Sequence, residues 1–188
     1  QTFMIPISWY DCMPSSTSCI AYCRVTTYSD SIQIGDPVIK SFTVTVPVDI
    51  KPTIGLITLI PDTINGNNIL IKGKNKLSVN VIDCVAGAGS SIKSYTFSGP
   101  SLSTVVSSTA SSASAITSTI SSIGMLTYTV TIADARGRTN TVSQSINCYD
   151  YFAPSFATFS AFRSNSNGDA DVNGSYLKCT YAINYASV

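Results

Sequence analysis

The segment Leu126–Ile132, LTYTVTI, alternates without a break. Leu126, Tyr128, Val130 and Ile132 fall on one parity, and Thr127, Thr129 and Thr131 on the other. Successive side chains of a strand point to opposite faces, so the pattern fits a half-buried strand. It does not fit a helix, whose apolar positions recur every three or four residues. After ADARGR, with Gly137 as the turn residue, the stretch TNTVSQSINCY places Val142, Ile146 and Cys148 on one parity. A hairpin joining Leu126–Ile132 to Thr139–Tyr149 is predicted.

The same arrangement occurs earlier. A strand ending near Thr27 is followed by a polar loop, Gly35, and SFTVTV with Phe42, Val44 and Val46 in phase. Both hairpins run into a proline segment, VDIKPTI and YDYFAPSF. Pro52 and Pro154 stand 102 residues apart (52 to 154), the size of one immunoglobulin-like unit. Between them the chain reads as seven short strands: TIGLITLI, KLSVNVIDC, SIKSYTF, STVVSS, SAITSTI and the two strands of the hairpin. The predicted inward set is Leu77, Val79, Val81, Tyr95, Phe97, Leu126, Tyr128, Val130, Ile132, Val142 and Ile146, because a one-residue slip would turn each strand outward.

Composition agrees. All ten acidic residues are Asp; Glu, a strong helix former, is absent, and Ser, Thr, Val, Ile and Tyr dominate. The fold class expected is all-β: tandem immunoglobulin-like antiparallel β-sandwiches with incomplete terminal units. Residues 1–49 would hold the later strands of one unit, 50–149 a complete sandwich, and 150–188 the first strands of another. An incomplete unit leaves an apolar face bare, so two resolutions are expected. Either the chain is a piece of a longer protein, or copies join head to tail.

Several function classes lose their footing. The net charge is +1 with no basic run, which removes the footprint of a nucleic-acid binder. No apolar stretch is long enough for a membrane span. Absence of His removes Ser-His-Asp and Cys-His catalysis from within the chain. Asp134 and Asp150 are the nearest approach to a carboxylate pair, and both fall at strand ends as turn residues. No enzymatic role and no cofactor are expected. The six cysteines, at 12, 19, 23, 84, 148 and 179, lack zinc-ligand spacing; free thiols are expected at Cys84 and Cys148.

Two further features invite a site. NGDADVNGSY, Asn167–Tyr176, opens like a calcium-binding EF-hand loop with Asp169, Asp171, Asn173 and Gly174. The twelfth position is Thr180 instead of the required bidentate acid. The expectation is a hairpin loop indifferent to calcium, with Gly168 and Gly174 at positive φ; Asp169, Asp171 and Asn173 are the metal candidates otherwise. The Gly-rich VAGAGSS, Val85–Ser91, lacks the Lys-Ser/Thr ending of a phosphate loop and reads as a turn. Trp9, Tyr10, Tyr151, Phe152 and Phe156 gather near the unit junctions. They fit core and inter-unit packing best, and an exposed subunit or sugar contact otherwise.

The ordered blocks MIPISWYDCMPSSTS, TTYSDSIQIG, SFTVTVPVDIKPTI, DCVAGAGSSIKSYTFSG, VTIADARGRTNTVSQSINCYDYFAP and FRSNSNGDADVNGSYLKC resemble the immunoglobulin-like repeats in tail and minor structural proteins of siphophages that infect Gram-positive bacteria. Cys19 stands where that family often carries Gly. The resemblance implies a virion tail component outside the cell that spaces, decorates or presents the host-attachment end. It implies other tail subunits or neighbouring repeats as partners, with a host cell-surface glycan as a ligand. A bacterial surface adhesin or stalk of similar repeats is the alternative, followed by a carbohydrate-binding module.

Overall fold

The computed structural model describes residues 6–62 and 68–186. The remaining residues of the three expected units, 1–5, 63–67 and 187–188, lie outside the described residues. The chain opens with a 3-10 turn at Ile7–Cys12 and a long hairpin of β1 (Ser18–Ser29) and β2 (Ile32–Thr45). It then builds two facing sheets. Strands β3 (Leu56–Pro61), β5 (Leu77–Ile82) and β8 (Ala113–Ile116) form one, in the order β3-β5-β8. The other contains β4 (Leu70–Ile71), β6 (Ile92–Gly99), β7 (Leu102–Ser107), β9 (Gly124–Asp134) and β10 (Thr139–Tyr149), in the order β4-β10-β9-β6-β7. A last hairpin joins β11 (Ser155–Ser164) to β12 (Tyr176–Asn184). The molecule is all-β and of the sandwich class.

Alternation accounts for the layers. Leu77, Val79, Val81, Tyr95, Phe97, Leu126, Tyr128, Val130 and Ile132 are all buried between the two sheets. Val142 and Ile146, on the more open β10, are half-buried and Ile146 packs against the same core. Each large apolar side chain removed from water contributes about 1.5–3 kcal/mol. The buried phenols find acceptors at the sandwich rim: Tyr95 donates to Ala110 O at 2.5 Å and Tyr128 to Pro100 O at 3.1 Å. Thr127, Thr129 and Thr131 turn to the outer face, where their hydroxyls meet Ser145, Ser143 and Thr141 of β10, each at 2.9 Å. Such cross-strand pairs pin the register that the inner face demands.

The strand limits differ from the sequence reading at several points. The polar loop expected through Gly35 is part of β2: the hairpin reverses tightly at Asp30 and Ser31, with Asp30 at φ 51°, and the pairs Ser29↔Ile32 and Thr27↔Ile34 continue the ladder. The first strand begins at Leu56, since Thr53 makes only an isolated bridge to Val85. A short strand, β4, pairs in parallel with the end of β10 through Leu70↔Cys148 and Ile71↔Tyr149. Two residues carry no readable period, so sequence reasoning passed over it. The hairpins at the ends remain two-stranded, and most of their residues are exposed.

Candidate functional site

The β9–β10 turn does more than reverse the chain. Asp134 N–H donates to Arg138 O at 3.0 Å, and Gly137 takes φ +80°, the left-handed conformation the turn needs. Asp134 Oδ1 accepts the N–H groups of Arg136 at 3.0 Å and Arg138 at 2.9 Å, which braces the loop from inside. Its Oδ2 is buried without a protein partner. Asp134 is therefore fully buried, a stronger role than that of an ordinary turn residue. Asp150 is exposed and lies 4.0 Å from the Lys72 ammonium, so the two carboxylates sit at opposite ends of β10 and form no pair.

With its backbone held, the turn projects two guanidiniums onto the incoming chain. Arg136 is buried and donates to three main-chain carbonyls: Met13 at 2.8 Å, Tyr10 at 2.9 Å and Ala88 at 2.6 Å. Arg138 donates to Ile50 O at 2.8 Å, Val46 O at 2.5 Å and Pro47 O. Ser90 Oγ adds a bond of 2.7 Å to Pro14 O. Arg suits this task because its planar fork presents five fixed donors and stays charged. The Gly-rich stretch supplies room. Gly89, at φ +74°, lies against the Tyr10 backbone, and a Cβ there would collide with the Tyr10 carbonyl group. The expected turn at VAGAGSS is present, and its packing partner is the segment before β1. Met13, Val44 and Val46 form a small buried cluster beside it, with Tyr10, Cys19, Ala21 and Ile50 packed around.

The other sequence candidates disperse. Trp9 is exposed in the 3-10 turn, while Tyr10 is half-buried at the clasp. Tyr151 lies under the Lys74 ammonium, 5.4 Å from the ring centre, and Phe152 is exposed. Phe156 belongs to an aromatic cluster on the last hairpin: its ring centre is 5.3 Å from Phe159 at 59° and 6.1 Å from Tyr181 at 81°. A bulge between Phe156 and Thr158 puts Phe156 and Phe159 on one face.

The Asp-rich loop joins β11 to β12 as a hairpin connection. Asn165 Oδ1 accepts the N–H groups of Asn167 at 2.9 Å and Asp169 at 3.0 Å, and Asp171 Oδ1 accepts that of Asn173 at 2.9 Å. Gly168 takes φ +86°, as expected. Gly174 does not: its backbone lies outside the positive-φ region, and the residue is small because Ser164 O occupies the place of a Cβ. Among the described residues, no three Cys or Asp side chains converge. All six cysteines are free; burial pushes the thiols of Cys84 and Cys148 above their ordinary range.

No helix among the described residues is long and apolar enough to cross a membrane. The clasp joins the all-β sandwich to the non-strand segments that flank the β1–β2 hairpin, Tyr10–Met13 before it and Val46–Ile50 after it. Residues 1–172 match the family model described as siphovirus protein of unknown function (DUF859), so the chain belongs to that family. No curated protein and no solved structure matches it.

Proposed function

We propose that the chain is a non-enzymatic structural module of a siphophage tail. In this reading, immunoglobulin-like sandwiches follow one another in series and space or present the host-attachment apparatus. The guanidinium clasp carries the proposal. It ties the incoming segment to the turn end of the β9–β10 hairpin, whereas the chain leaves from the far end of β10. Eleven residues of strand separate the two, about 36 Å at 3.3 Å per residue. A unit gripped at one end and continued from the other adds length and direction. The order β3-β5-β8 facing β4-β10-β9-β6-β7 supports the immunoglobulin-like assignment, and the siphovirus family supports a virion context. Electron microscopy of virions labelled with antibody to this chain tests the proposal. Label on the tail is expected; label confined to the capsid, or no chain in purified virions, overturns it.

A further inference from the structure

An open strand edge recruits other strands unless it is short or carries a charge, a proline or a bulge. Among the described residues, every outer strand but one has such protection. In the end hairpins β1 carries Arg24, β2 Asp36, Pro37 and Lys40, β11 Arg163 and β12 Lys178. In the sandwich β4 has two residues, β8 has four, and β3 ends in Pro61. Strand β7, LSTVVS, is six residues long and uncharged, and it pairs with β6 from Ser94↔Ser107 to Gly99↔Leu102 without a bulge. Its other side is the open edge of the five-stranded sheet. Among the described residues, no main-chain group from Ser103 to Ser107 bonds outside the β6 ladder. Val105, at the centre of the strand, is 63% accessible. The surrounding chain is free of charge as well: from Ser94 to Ala133, a span that includes β7 and β8 and most of β6 and β9, there is no Asp, Lys or Arg. Lys93 stands at one end of the edge, where its carbonyl accepts the Ser108 N–H at 3.3 Å. The edge belongs to the flank of the central sandwich, so it is open whatever precedes or follows the chain.

We propose that β7 pairs with β7 of a second copy, antiparallel about a two-fold axis, so that two five-stranded sheets become one. The strand's own pattern selects this occupant. Residues directly opposite in an antiparallel pair share a face of the sheet. Centred on Val105, the pairing sets Val105 against Val105, Thr104 against Val106 and Ser103 against Ser107, each pair on a common face. A two-fold contact must be self-complementary, and this one is. It desolvates no charge, and the two Lys93 residues fall at opposite ends of the pair. A single strand edge covers less than the ~800 Å² per partner of a stable interface, so the association is weak. Copies tethered to a common structure meet at effective concentrations of about a millimolar, where a dissociation constant of roughly 0.1–1 mM suffices. The contact lies across the serial direction described above and does not depend on it.

Sedimentation equilibrium on the whole chain, from about 10 µM to about 1 mM to bracket that affinity, reads the mass. Reductant keeps the exposed thiols of Cys12, Cys23 and Cys179 from linking copies. The mass should rise to that of a dimer and stop. Over the same range, hydrogen exchange should slow at the β7 amides while the other sandwich strands stay unchanged. Val105→Lys gives the edge the charge that other outer strands carry and should weaken association at least tenfold. Ser143→Lys, on β10 and separated from β7 by β9 and β6, should leave association unchanged. Both positions are exposed, so neither lysine enters the core. A chain that stays monomeric at about 1 mM, growth past a dimer, a dimer that Val105→Lys leaves intact, or protection that grows on another strand and not on β7 overturns the inference. The exchange data come from the wild-type chain and decide the matter even where a variant folds poorly.

Discussion

Arg136→Ala tests the clasp at its centre. The wild-type guanidinium is buried and makes three bonds to carbonyls, two of them on the segment before β1. Hydrogen bonds from a charged donor contribute about 1.5–3 kcal/mol each. The three share one group, and truncation lets water reach part of the vacated space, so the loss is about 3 kcal/mol in total, well short of additive. At 1.4 kcal/mol per tenfold, local opening should become about 100-fold more frequent. The reporter is the Met13 amide, which donates to Tyr10 O at 2.9 Å within the clasped segment. Hydrogen exchange followed by mass spectrometry or NMR should show the amides of the Ile7–Met13 segment accelerating while those of β6 and β9 keep their protection. Arg136→Lys should recover only a small part, because an ammonium cannot span three carbonyls in fork geometry. Met13 exchange within about twofold of wild type, a change of at most ~0.4 kcal/mol, would refute the clasp. Uniform acceleration of β9 as well would show that Arg136 serves the sandwich and not the joint.

Three further outcomes are expected. Ile132→Ala should cost about 2–5 kcal/mol in urea unfolding and Thr131→Ala less than about 1 kcal/mol; equal costs would contradict the assigned faces. Burial holds the Tyr95 and Tyr128 phenols up at about 12, with smaller contributions from Cys84 and Cys148 respectively. Their neutral forms therefore stabilise the fold fully below pH 10 and lose that contribution as pH rises from 10 through 12. A Tyr95→Phe, Tyr128→Phe double variant should show a shallower stability decline across that window, and an unchanged slope would count against it. Finally, millimolar calcium should leave the melting temperature where a chelator leaves it, since Asn165 and Asp171 oxygens already accept N–H groups of their own loop; a clear calcium-dependent rise would establish a site.

The sandwich core was legible because a strand with one buried face must alternate, and LTYTVTI and KLSVNVI do so visibly. The same rule marked SFTVTV and its partner strand, although in the end hairpins both parities remain largely exposed, so alternation there names a face without saying what covers it. The clasp was not legible. Arg136 reaches Met13 across 123 residues of chain and binds a main-chain carbonyl, which every residue possesses and no sequence pattern announces. The usable signal was indirect: two arginines inside a five-residue turn, DARGR, in a chain with only 11 basic residues, a costly choice for a plain reversal. The glycines of VAGAGSS gave a second hint, but Gly89 needed the position of Tyr10 to be understood.

Because the clasp binds main-chain carbonyls, it constrains the incoming segment differently from a joint of side chain against side chain. A joint made by side chain against side chain must be re-matched whenever either unit changes. A guanidinium fork needs only carbonyl oxygens at the right places, so the incoming segment can vary in sequence while its backbone path is kept. Two demands remain fixed on the receiving side: Asp134, which braces the turn so that both guanidiniums face the same way, and a small residue at Gly89, where the incoming backbone passes closest.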